Sequence, residues 1–120
     1  MKEKKIYLLE DDPDIKDLIS YILTKDGYEV FAFEKVRDIN AQIEKELPDL
    51  FIFDVSLPDG NGLDLTQKLV SRKSYTPPVL LMSADYENQK KAIGSGASYF
   101  MRKPFDVDDL RSKVEVLLVA

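Results

Sequence analysis

Pro48-Asp49-Leu50-Phe51-Ile52-Phe53-Asp54 reads as a turn pair, an unbroken apolar run and then an acid. A strand with one face in water alternates apolar and polar residues. A run without alternation belongs to a strand covered on both faces, which is the situation in a parallel sheet flanked by helices. Similar short runs lie on either side, at Lys5 to Leu9, Glu29 to Phe33, Val79 to Met82 and Ser98 to Met101. Between them apolar residues return at helical spacing: Ile15, Leu18, Ile19, Ile22 and Leu23, then Val36, Ile39, Ile43 and Leu47, and last Val107, Leu110, Val114 and Leu117. Less regular stripes place two more helices over about Leu63 to Val70 and Tyr86 to Ile93.

Punctuation agrees with this division. Asp12-Pro13 offers a capping side chain and a first-turn proline, and Asp26-Gly27 a helix stop. Pro48-Asp49, Thr76-Pro77-Pro78 and Gly94-Ser95-Gly96 each sit just ahead of a strand. Five βα units result, and the expected fold class is α/β: a doubly wound, five-stranded parallel sheet with helices on both faces. Residues 1–120 are expected to form one domain, since no linker, repeat or low-complexity stretch divides them.

Composition excludes several functions. With 44% hydrophobic and 32% charged residues the chain belongs with globular proteins, and its apolar runs are far too short to span a bilayer. Met1-Lys2-Glu3-Lys4-Lys5 leads straight into the first strand with no signal-like apolar region, so a cytoplasmic address is expected. There is no cysteine and no histidine, which leaves carboxylates, lysine, hydroxyls and hard cations to carry any chemistry. A net charge of −5 argues against direct nucleic-acid contact, which depends on neutralising phosphates.

In an open doubly wound sheet, ligands bind beyond the carboxyl ends of the strands, where the strand order reverses. The first strand ends in Leu9-Glu10-Asp11-Asp12, the third in Phe53-Asp54, the fourth in Met82-Ser83 and the fifth in Arg102-Lys103-Pro104. With the common order 2-1-3-4-5, the first and third strands flank the reversal and both bring acids to it. Two carboxylates about 4 Å apart repel by roughly 4 kcal/mol at an effective dielectric of 20, so the cluster calls for a cation. Oxygen ligands alone point to a hard ion such as magnesium. Asp54, at the tip of an apolar strand, is the best-placed nucleophile for forming an aspartyl-phosphate, with the Lys103 ammonium and Ser83 hydroxyl available to the transferred oxygens. Plainer roles are expected of other acids: Asp12 and Asp14 as helix-start residues, and Asp49, Asp59, Asp106, Asp108 and Asp109 as solvated loop or helix-start groups. Tyr99 and Phe100 read as half-buried strand residues.

Ile6 to Asp12, Phe53 to Gly62, Leu81-Met82-Ser83-Ala84, and Gly96-Ala97 through Lys103-Pro104-Phe105 together resemble, in order and at strand ends, the receiver domain of two-component response regulators. The resemblance covers essentially the whole chain and implies a flavodoxin-like (βα)5 fold. By its implication Asp54 is the phosphoacceptor, Asp11 a direct Mg2+ ligand, Glu10 an acid holding the ion through water, and the Ser56 carbonyl a further ligand. Ser83 matches the switch hydroxyl, Lys103 the lysine that pairs with the phosphoryl group, and Phe100 the aromatic switch position, with Lys103-Pro104 cis. Ser56 and Asp85 would flank the phosphoryl group and tune its hydrolysis. Phe100 lacks the hydroxyl of the commoner tyrosine, and the stretch from Ser83 to Lys103 is slightly short, which implies a reduced loop or helix in the fourth unit.

A sensor histidine kinase or phosphotransfer protein is the implied donor, and the face formed by the fourth helix, fifth strand and fifth helix the implied route to a downstream target. Pairing of two copies through the last βα units is left open. The implied role is a switch rather than a turnover enzyme. Two other readings share the fold: a pseudo-receiver that binds partners without phosphorylation, and a magnesium-dependent phosphatase with an aspartyl nucleophile. The complete set of Asp11, Asp54, Ser83 and Lys103 weighs against the first. Ser56 stands where phosphatases of the haloacid-dehalogenase type place a second aspartate, which weighs against the other.

Overall fold

The computed structural model describes residues 3–119. Five strands, β1 (Lys5–Leu9), β2 (Glu29–Phe33), β3 (Leu50–Asp54), β4 (Val79–Ser83) and β5 (Tyr99–Arg102), pair in parallel in the order β2-β1-β3-β4-β5. Five helices alternate with them: α1 (Pro13–Lys25), α2 (Val36–Lys45), α3 (Gly62–Val70), α4 (Asn88–Ser95) and α5 (Val107–Val119). The α/β fold class and strand order agree with the sequence reading.

Every residue of β3 and of β4 is buried. Their alternate positions serve two cores. Leu50 and Ile52 join Ile6 and Leu8 under Ile19 and Leu23 of α1 and Leu110 and Val114 of α5. Phe51 and Phe53 join Tyr7 and Leu9 against Ile39 and Ile43 of α2, Leu65 and Leu69 of α3 and Ala92 of α4. The continuous apolar run is therefore a period-2 strand with both faces occupied. Tyr7 is fully buried yet keeps its polar tip paired, donating to the Glu46 carbonyl at 2.8 Å and accepting from Gln42 Nε2 at 3.2 Å.

Asp12 caps α1 as its position suggests, accepting from the backbone N–H of Asp14 at 2.9 Å and of Ile15 at 3.2 Å. Asp106 does the same for the start of α5, accepting from Asp108 and Asp109. Gly96 closes α4 with φ of +94°, a left-handed conformation that favours glycine. Leu47 lies beyond the end of α2, and Leu18 is 47% exposed, so neither extends its helix's buried stripe as the spacing suggested.

The fourth unit departs most from the sequence reading. Its helix starts at Asn88 rather than near Tyr86, and at eight residues it is the shortest of the five helices. Asp85 to Gln89 form tight turns first, with Asn88 N donating to the Asp85 carbonyl and Gln89 N to that of Tyr86, both at 3.1 Å. An unforeseen hairpin follows β3, pairing Ser56–Leu57 antiparallel with Gly60–Asn61. Among the described residues no helix is long and apolar enough to cross a membrane.

Candidate functional site

The strand order reverses between β1 and β3, and both deliver acids to the same rim of the sheet. Glu10 and Asp11 follow β1, and Asp54 closes β3. One carboxylate oxygen from each of the three lies within 4.8 Å of the others. Glu10 is fully buried and Asp54 is 7% exposed, while Asp11 faces solvent.

Lys103, just past β5, reaches into this cluster. Its ammonium donates to Glu10 Oε1 and lies 3.2 Å from Asp54 Oδ2. Its backbone N–H donates to the Ser83 carbonyl at 2.9 Å, which extends the β4 to β5 pairing to the site. The Lys103-Pro104 peptide is cis, as expected.

Burial pushes the Glu10 carboxyl above its ordinary value. Hydrogen bonds from Lys103 and from the Asp12 backbone pull it back, and the charge of Asp54 adds to the rise. For Lys103 burial works downward, but the bond to Glu10 and the charges of Asp54 and Glu10 outweigh it, so the ammonium is held above its usual range. Three carboxylates against one ammonium leave two negative charges in excess. The donors are all oxygen, and the excess matches a hard divalent cation, so the residues fit magnesium better than a soft metal.

The observed hydrogen bonds and packing of the other expected side chains are with partners outside this group. Ser83 closes β4 and is 3% exposed. Its hydroxyl accepts from the backbone N–H of Asp85 at 3.0 Å and from Asn88 Nδ2 at 2.9 Å, both in the turn that starts α4. Asp85 is exposed and accepts from Glu87 N at 3.0 Å. Ser56 is exposed in the short hairpin. Phe100 is half-buried on β5 and packs against the core beneath α2, α3 and α4.

Three supporting residues escaped the sequence reading. Asp59 is no free loop acid: its carboxylate accepts from the N–H of Val36 at 2.8 Å and of Arg37 at 3.0 Å, tying the hairpin after Asp54 to the start of α2. These bonds hold Asp59 below its ordinary value. Lys35, at the capping position, supplies no side-chain bond there, which leaves the role to Asp59. At Gly62, the first residue of α3, a Cβ would stand 2.3 Å from the Asp54 carbonyl oxygen, so only glycine lets the helix cross so close to the acid's backbone. Asn88 is the third. Asp49, also read as solvated, accepts from Lys5 N at 2.7 Å.

The family described as the response regulator receiver domain matches residues 6–115 of this chain. The chain belongs to that family. Relatives include the transcriptional regulatory protein KdpE of Staphylococcus aureus, 34% identical over 117 residues. That alignment covers 96% of this chain and 50% of KdpE. The regulatory protein VanRc of Enterococcus gallinarum is 35% identical, with 96% of this chain and 50% of the relative covered. The chain thus spans about half the length of these relatives. Among solved structures, a putative response regulator from Chloroflexus aurantiacus superposes with a TM-score of 0.93 at 27% identity, covering 99% of this chain and 100% of the other. The response regulator TrrA of Thermotoga maritima, solved in complex with Mg(2+)-BeF, gives a TM-score of 0.86 at 26% identity, covering 96% and 99%. As a receiver domain, the chain belongs to the phosphoacceptor switches of two-component systems.

Proposed function

We propose that this receiver domain takes a phosphoryl group on Asp54 from a histidine kinase or phosphotransfer protein and thereby changes the partners of its α4-β5-α5 face. The observation that carries the reading is the convergence of Glu10, Asp11, Asp54 and Lys103 at the reversal of strand order. The donor histidine lies outside these 120 residues, which contain none.

In the transfer, an Asp54 carboxylate oxygen attacks phosphorus, the P–N bond to the donor imidazole breaks, and that nitrogen takes up the leaving electron pair. Lys103 is already 3.2 Å from Asp54 and is placed to meet the charge on the phosphoryl oxygens. Asp11, Asp54 and the Ser56 carbonyl would hold Mg2+ directly and Glu10 through water; when bound, the ion neutralises the acids and the transferred oxygens. Ser83 turns from its present partners to donate its hydroxyl proton to a phosphoryl oxygen, and Phe100 follows it by packing alone. Asp85 and Ser56 flank the group and set how readily water reaches it.

For the output face, the support is its surface chemistry. Tyr86 and Ile93 are 61% and 72% exposed, Arg102 stacks over Tyr86 at 5.2 Å, and Lys113 over Tyr99 at 4.8 Å.

A switch and a turnover enzyme separate on phosphoramidate, whose P–N bond resembles that of phosphohistidine. Free phosphate released in the presence of magnesium is expected to follow one slow acylphosphate hydrolysis per molecule. Sustained rapid release would make the chain a phosphatase.

A further inference from the structure

The hydrogen bonds of the Ser83 hydroxyl run to the turn before α4, and neither of them is to Asp54. Both of its observed partners are donors, the Asp85 backbone N–H and the Asn88 side-chain amide. Asn88 is only 9% exposed, so its amide has little access to water in exchange. It is also the first residue of α4, and the tight turns over Asp85 to Gln89 bring it back over Ser83.

We propose that Asn88 is a positioning residue for phosphoryl transfer: its amide holds the Ser83 hydroxyl in the turn, so Ser83 reaches a phosphoryl group on Asp54 only by releasing the first residue of α4. The inference rests on the phosphoacceptor reading above. When Ser83 leaves, a nearly buried amide loses its acceptor, and leaving such a group unpaired is costly. The bond therefore sets the balance between resting and reaching positions of Ser83, and passes the change at Asp54 directly to α4, one of the three elements of the proposed output face. Phe100 is not needed for this route, which suits a chain whose aromatic switch position carries no hydroxyl.

The test is the rate of phosphoryl-adduct formation with acetyl phosphate and magnesium, followed by intact mass on the full chain. Asn88→Ala is expected to raise the rate about three- to tenfold, the range of a net hydrogen bond. In a Ser83→Ala background, slower overall, the same substitution is expected to change the rate by less than about half of that factor, because the partner is gone. An equal effect in both backgrounds would show a merely structural role and overturn the inference, as would no effect in either. Should the variants fail to fold, the wild-type chain still decides. The Asn88 side-chain amide signals in 15N NMR are expected to move on adding magnesium and beryllofluoride, and signals that stay fixed while those of Asp54 and Ser83 move would overturn it. A wild-type chain that takes no phosphoryl group at all refutes the underlying reading instead, and this inference with it.

Discussion

Lys103 ties the buried acid of β1 to the acid that closes β3, with Glu10 fully buried and the lysine side chain 13% exposed. Removing it leaves the buried Glu10 carboxylate without its ammonium partner and with only the Asp12 backbone N–H still donating to it. Lys103→Met is expected to cost roughly 3 kcal/mol at neutral pH, the low end for breaking a buried pair because the lysine keeps some solvent contact. The sign with pH follows from Glu10, whose folded value is already raised by burial and rises further without the ammonium. A group of that kind contributes stability below its unfolded value and loses it as pH rises through the folded one. The deficit should therefore shrink on acidification and vanish below about pH 4, where Glu10 is protonated in both states. Chemical denaturation of both proteins from pH 4 to 8 checks this, and a deficit independent of pH would refute it. At this scale the convergence of Glu10, Asp11, Asp54 and Lys103 was legible in the sequence, because each stands at a strand end and the topology gathers strand ends. Asn88 was not, because its bond to Ser83 depends on how tightly the turn before α4 closes, which no periodicity reports.

The elements show a similar division. Strands and long helices follow from apolar runs and caps, and their bounds in the structure lie within a residue or two of the sequence reading, with α4 the largest shift. Apolar spacing weakly marks an eight-residue helix such as α4, so the turns at its start decide where it begins. The hairpin after Asp54 and its link to α2 could not be read, since Asp59 and Val36 are 23 residues apart and the helical stripe that holds Val36 does not report what bonds its backbone N–H. Gly62 was quoted as part of a motif, but its necessity is a matter of contact: the start of α3 lies against the Asp54 carbonyl. Gly62→Ala, ordinarily favourable inside a helix, is expected to cost about 1–3 kcal/mol through overpacking and to slow phosphorylation by displacing the Asp54 backbone. Thermal unfolding with the adduct-formation rate checks both; an unchanged or raised midpoint would contradict the contact.

At the scale of the molecule, one sheet holds two cores together and presents its acids on a single rim, with a net charge of −5 for the whole chain. Gathering acids costs stability that a bound cation returns. Magnesium at about 100 times its Kd is expected to stabilise the protein by roughly 2.7 kcal/mol, seen as a rise in the unfolding midpoint. Asp11→Asn should blunt that rise, whereas sodium at matched ionic strength should not reproduce it. A midpoint that ignores magnesium would remove the ion from the account.

The most direct test concerns Asp54. Wild type and Asp54→Asn are incubated with acetyl phosphate, with and without magnesium, and weighed intact by mass spectrometry. One phosphoryl adduct on the wild type that requires magnesium and is absent from Asp54→Asn is the expected result. An adduct that persists in Asp54→Asn would move the acceptor elsewhere, and no adduct under any condition would leave a receiver fold that binds its partners without phosphorylation.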